Sequence, residues 1–260
     1  MMQKIISLLL LGLAQICAAT DETAAGGGAA MPATGAFVVD ATLEELAQPS
    51  TVQHLKDVLP GDEAISWEVF VPENYAQERP PGLLVYISPT NSGEMPTSWR
   101  QVMTDHNMIW VAANQSGNRV TVSRRVIYSL VAPTLIQQIY EIDRQRIYVS
   151  GFSGGGKTAS MVAVDQAQLF RGAIYFGGAE RWDSKEPARI DQVRQNRFVF
   201  LTGSYDQALE PMKKVYRAYL KAGIENSLFM NIRNLTHRLP DSYEFEKALV
   251  YLDADKSASP

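Results

Sequence analysis

The chain has 260 residues, 46% of them hydrophobic and 20% charged, an ordinary globular composition with enough length for one good-sized core. A formal net charge of −4, with no run of Lys or Arg, speaks against a nucleic-acid binder and against a basic membrane-surface patch. Three histidines and one cysteine leave little from which to build a zinc site, and no metal or other cofactor is implied.

Residues 1–19 read as a signal peptide. Lys4 supplies the positive start, residues 5–14 form an apolar stretch too short to span a bilayer as a helix, and Cys17-Ala18-Ala19 offers small residues for cleavage before Thr20. The alternative is a buried N-terminal helix. Lys4 is the only charge in this segment, so cleavage leaves 23 basic against 28 acidic residues, a net of −5. Cys17 stands where a lipoprotein signal would also place a cysteine, but Ile16 before it is not small. Its removal with the leader leaves a mature chain without disulfides. The expected location is periplasmic or extracellular, without stable membrane insertion.

Residues 20–35, rich in Ala, Gly and Thr, read as a flexible lead-in, and 42–58 as a helix. No repeat or second linker follows, so 36–260 is expected to be one domain. Strands are predicted at 64–72, 83–88, 108–113, 146–151, 172–177, 197–202 and 227–232. Several are continuous apolar runs, as in parallel strands buried on both faces. The first ends in Pro72, which places it at a sheet edge. The clearest helix is 209–221, where Leu209, Met212, Val215, Tyr216, Tyr219 and Leu220 share one face before Gly223. A last helix is predicted at 242–253, capped by Asp241. Strands alternating with helices give an α/β fold.

The chemistry concentrates in residues 146–158. Gly151, Ser153 and Gly155 satisfy G-x-S-x-G, in which a strand turns sharply into a helix and exposes the serine hydroxyl above the sheet. Gly151, Gly156, Lys157 and Thr158 satisfy G-x-x-x-x-G-K-[ST], a phosphate-cradling P-loop pattern. Each motif makes a forecast. A nucleophilic Ser153 requires an acid at the end of a later strand and a histidine beyond the last strand. His237 is the only histidine after Ser153, and it follows the strand at 227–232. Asp206 follows the strand at 197–202 and is the candidate to orient it. A P-loop requires an aspartate ending a hydrophobic strand to help hold Mg²⁺, but the downstream strands run into Gly-Gly-Ala and Thr-Gly-Ser. Nucleotide binding is therefore the remote alternative.

With these residues in view, the chain resembles the α/β-hydrolases, and among them the exported esterases of the polyhydroxybutyrate depolymerase and feruloyl esterase type. The resemblance is carried by Val-Phe-Val-Pro-Glu-Asn-Tyr at 69–75, Gly-Phe-Ser-Gly-Gly at 151–155, Leu-Phe-Arg-Gly-Ala at 169–173, Gly-Ser-Tyr-Asp at 203–206 and Thr-His-Arg-Leu-Pro at 236–240. It implies a mostly parallel sheet of eight strands or slightly fewer with helices on both faces, strand 64–72 being antiparallel. It also implies carboxylic ester hydrolysis through a Ser153–His237–Asp206 triad. The family's His-Gly loop, which gives the second oxyanion donor, is replaced by Ile87-Ser-Pro-Thr-Asn-Ser-Gly93. Pro89 has no N–H, so beside Gly154 the donor is expected from the backbone of Thr90 or Asn91, or from a nearby side chain.

His54 and His106 precede the nucleophile and are expected at the surface. Trp99, Trp110 and Trp182 are expected in the core, with Trp182, in the loop at 178–190, also a candidate wall of the substrate site. The interval of 53 residues from Ser153 to Asp206 leaves little room for a lid, so an open site is expected. A small or polymeric ester is the implied substrate, and nothing in the sequence sets an oligomeric state. The same residues also suit a peptidase or thioesterase, or a non-catalytic relative that only binds.

Overall fold

The computed structural model describes residues 32–182 and 187–254. The expected leader, and the lead-in up to residue 31, lie outside these residues.

The chain builds an eight-stranded sheet. The strands are β1 (Gly35–Thr42), β2 (Ala64–Val71), β3 (Gly82–Ile87), β4 (Met108–Ala113), β5 (Ile147–Phe152), β6 (Gly172–Phe176), β7 (Arg197–Gly203) and β8 (Ser227–Ile232). Their order is β1-β2-β4-β3-β5-β6-β7-β8. β1 and β2 are antiparallel to their neighbours, and β3 to β8 run parallel. Every residue of β3, β4 and β6 is buried, which is why these strands read as unbroken apolar runs.

Two corrections concern the N-terminal third. β1 begins at Gly35, inside the expected lead-in, and carries the sheet edge. β2 therefore lies between β1 and β4 rather than at the edge. Pro72 falls just past the end of β2, so it removes no ladder hydrogen bond and sets no constraint on the strand's place. In β1 burial alternates residue by residue, with Val38 55% exposed between the inward-packed Phe37 and Val39. The predicted helix at 42–58 is two helices, α1 (Leu43–Leu46) and α2 (Pro49–Leu55). Thr42 caps α1 in a capping box with Glu45. Pro49 holds Gln48 extended, at φ −63° and ψ 147°, and this divides the segment.

The remaining helices are α3 (Arg100–Asp105), α4 (Val122–Gln137), α5 (Gly154–Asp165), α6 (Ile190–Gln195), α7 (Leu209–Lys221) and α8 (Ser242–Asp253). α7 and α8 have the predicted bounds. Asp241 caps α8 by accepting from the N–H groups of Tyr243 and Glu244. α4, α5 and α7 pack on one face of the sheet, and α3 and α8 on the other. Trp99 lies on the second face, stacked on Phe245 at 4.0 Å and edge-on to Trp110 at 6.1 Å. His106 is only 20% exposed and faces Glu246 and Asp253, so it is less of a surface residue than expected. Among the described residues no helix is long and apolar enough to cross a membrane.

Candidate functional site

Three strand exits converge at the C-terminal edge of the parallel sheet, where α/β folds place their ligands. β5 passes into α5 through Ser153 at φ 54°, ψ −118°. This left-handed backbone is costly for a side-chain-bearing residue, and it turns the hydroxyl out of the chain's path. The turn is tight enough to exclude side chains beside it. A Cβ on Gly155 would lie 1.8 Å from the Ile87 carbonyl oxygen, and one on Gly151 would lie 2.5 Å from the Gly155 backbone. Both motif glycines are required by this close approach.

The exit of β7 carries Asp206. Its side chain is 1% exposed. Oδ1 accepts the Ala208 N–H at 2.8 Å, and Oδ2 accepts the Thr202 hydroxyl at 3.0 Å. These bonds hold the carboxylate as an acceptor of fixed direction. The loop between β8 and α8 carries His237. Tyr205 N–H donates to the Leu235 carbonyl at 3.0 Å, Asn234 N–H donates to Ser204 Oγ at 2.9 Å, and Trp99 Nε1–H donates to the Pro240 carbonyl at 3.3 Å. The Phe152 ring lies 4.8 Å from the imidazole, centroid to centroid.

The result is an unbroken chain of contacts. Ser153 Oγ lies 2.9 Å from His237 Nε2, and His237 Nδ1 lies 2.8 Å from Asp206 Oδ1. Donation by Nδ1–H to the carboxylate leaves Nε2 free to accept the serine proton. The three residues singled out by motif and chain order thus meet, although 84 positions separate Ser153 from His237. Ser153 is partly exposed, and the His237 side chain is 33% exposed.

The second side of the site is less simple. Thr90 N–H donates to Ser88 Oγ at 3.1 Å, and Gly93 N–H to Asn114 Oδ1 at 2.9 Å. Asn91 N–H has no acceptor among the described residues. The loop is tied to the exit of β4, with Gln115 N–H donating to the Asn91 carbonyl and Asn118 N–H to the Pro89 carbonyl. Asn118 was not singled out by sequence. Its carboxamide lies against Gly154, where an added Cβ would be 2.2 Å from Oδ1 and 3.1 Å from Nδ2. Neither the exposed Asn118 nor the Thr202 hydroxyl behind Asp206 belongs to a motif, so no sequence signal marks them.

Trp182 is partly buried and packs against Tyr219 at 5.2 Å, beside the core on the α7 face. The P-loop residues do not form an open loop. Gly156, Lys157 and Thr158 lie within α5, the Lys157 ammonium is 3.6 Å from Glu180, and Thr158 Oγ1 donates to the Gly154 carbonyl. A cavity of about 560 Å³, lined by Glu78, Arg79, Asp105 and Arg146 among others, lies at the opposite end of the strands from Ser153.

No family model and no curated protein sequence matches the chain. Its likeness is to solved structures. A ferulic acid esterase aligns with a TM-score of 0.58 and 17% identity over 83% of this chain and 95% of that one. The feruloyl esterase module from Clostridium thermocellum, complexed with sinapinate, aligns with a TM-score of 0.60 and 15% identity over 84% and 88%. S-formylglutathione hydrolase from Staphylococcus aureus aligns with a TM-score of 0.58 and 12% identity over 84% and 99%. The likeness is one of fold, and the fold is that of the α/β-hydrolases.

Proposed function

We propose that the chain is an exported serine hydrolase that cleaves carboxylic esters through a covalent acyl-enzyme. The observation that carries this reading is the Ser153–His237–Asp206 hydrogen-bond chain, with contacts of 2.9 and 2.8 Å, seated on a strained strand-to-helix turn. An α/β-hydrolase fold shared with feruloyl esterases supports it but does not by itself assign an activity. The leader-like segment at 1–19 supports export.

In this mechanism His237 Nε2 takes the hydroxyl proton as Ser153 Oγ attacks the ester carbonyl. Asp206 holds the imidazole in the required tautomer and stabilises the imidazolium. The tetrahedral oxyanion is held by Gly154 N–H, with the Asn118 carboxamide and Asn91 N–H as its further donors. Nε2–H then protonates the departing alcohol. A water enters, loses its proton to Nε2 and releases the acid from Ser153. The partial exposure of Ser153 and His237 suits a soluble or surface-presented ester. A non-catalytic binding role is the competing reading, because Pro89 lacks an N–H and Thr90 N–H is already engaged.

The test uses residues 20–260 and the Ser153→Ala variant, each mixed with short-chain p-nitrophenyl esters and a fluorophosphonate probe. Wild-type turnover and labelling, both lost in Ser153→Ala, are expected. A folded wild type showing neither would refute ester hydrolysis and leave the binding role.

A further inference from the structure

Arg125 is 4% exposed, and no carboxylate pairs with it among the described residues. Burying a cation without a counter-charge is expensive, and burial lowers its pKa from the ordinary guanidinium value. Its place in the fold shows what the charge meets. Nη2 donates to the Ser88 carbonyl at 3.0 Å, and Nη1 to the Gly154 carbonyl at 3.4 Å. Ser88 opens the loop after β3, and Gly154 follows Ser153. The guanidinium therefore bridges the two backbone segments between which the proposed oxyanion would form. These segments already touch through Gly155 and Ile87. Beside the guanidinium lies a small cavity of about 10 Å³, lined also by Trp67, Ser116 and Ser129.

We propose that Arg125 is a positioning residue for acyl transfer, clamping the exit of β3 against the first turn of α5 at the spacing the oxyanion needs. This rests on the ester-hydrolase reading. A planar fork with several fixed donors can hold two carbonyls at once, whereas an ammonium or a carboxamide cannot reproduce that span. The clamp acts on the geometry around developing charge, so its loss falls on the transition state and spares substrate binding.

The experiment compares wild type, Arg125→Gln, Arg125→Lys and Ser129→Ala in the full mature chain. Ser129 is on the same helix and lines the same cavity, but its hydroxyl donates only to Val126. Steady-state kinetics on p-nitrophenyl butyrate are read beside the rate of Ser153 modification by a fluorophosphonate. In that modification the Ser153 Oγ–P bond forms, the P–F bond breaks, fluoride departs and the serine proton passes to His237. The phosphoryl oxygen takes the position of the oxyanion. Arg125→Gln is expected to lower both kcat and the modification rate by about 30- to 100-fold, below the loss of a direct donor, with KM held within about twofold. Arg125→Lys is expected to lose about tenfold, and Ser129→Ala less than twofold. Folded Arg125 variants with wild-type rates, or losses matched by Ser129→Ala, would overturn the proposal. So would failure of both Arg125 variants to fold, which would assign the residue to stability alone. A wild type that is never labelled would instead strike at the ester-hydrolase reading itself.

Discussion

Trp99 Nε1–H donates to the Pro240 carbonyl at 3.3 Å across 141 positions of sequence, and so pins the far end of the loop that carries His237. The indole also stacks on Phe245 of α8. Replacing it with phenylalanine keeps an aromatic ring there but removes the donor and part of a fully buried indole.

Trp99→Phe is therefore expected to cost at least about 1–3 kcal/mol of stability, the penalty of a buried carbonyl left unpaired, with the lost indole packing added to it. It is also expected to lower kcat severalfold through a looser His237 loop. Chemical denaturation and steady-state kinetics on the same preparation check both. Unchanged stability would show that the Pro240 carbonyl needs no partner.

The buried carboxylate of Asp206 makes a sharper forecast. Asp206→Asn preserves shape but offers the imidazole the wrong partner, and a loss of about 10⁴ in kcat is expected. Thr202→Val removes one hydroxyl from Oδ2. A hydrogen bond to a charged group is worth about 1.5–3 kcal/mol, so a loss of at least about tenfold is expected. Activity of Asp206→Asn within tenfold of wild type would remove Asp206 from the mechanism.

Asn118 is the exposed side chain nearest Gly154. Asn118→Ala is expected to lower kcat by about 10²-fold with little change in KM, as for loss of one oxyanion donor. Wild-type kcat in a folded variant would return the second donor to the backbone of Asn91.

Asp165 gives a stability forecast that depends on pH. Burial raises its pKa above the ordinary 3.8, and it ends α5, where the helix terminus disfavours negative charge. The folded chain thus holds this proton more tightly than the unfolded chain does. The resulting stability is fully present below pH 3.8 and is lost as pH rises through the folded value. Asp165→Asn removes the ionisation. A higher Tm than wild type is expected at pH 7 and no advantage at pH 3.5. Equal melting at pH 7 would show that the half-buried carboxylate carries no penalty.

The parallel strands were legible because β3, β4 and β6 are buried on both faces, and burial writes itself as a continuous apolar run. β1 was not, because an edge strand buries one face and its Phe37-Val38-Val39 alternation is short. Chain order brought Ser153, Asp206 and His237 into view. Arg125, Asn118 and Thr202 stayed hidden for another reason. Each is defined by what it touches rather than by a local pattern, and Arg125 reaches carbonyls 37 and 29 positions away. An arginine in a helical stretch is expected to face solvent, and only the tertiary packing shows Arg125 buried.

Chain order also gives the proposed chemistry a schedule. Ser153 emerges in the middle of the polypeptide, whereas His237 arrives on the loop before the final helix, and the anchor for that loop, Trp99, waits in the first half. In the folded chain the hydroxyl meets that imidazole with β7 and β8 in the sheet and α8 stacked on Trp99. On the proposed chemistry, a chain still being made, in which His237 has not yet joined the fold, would carry a serine without its base.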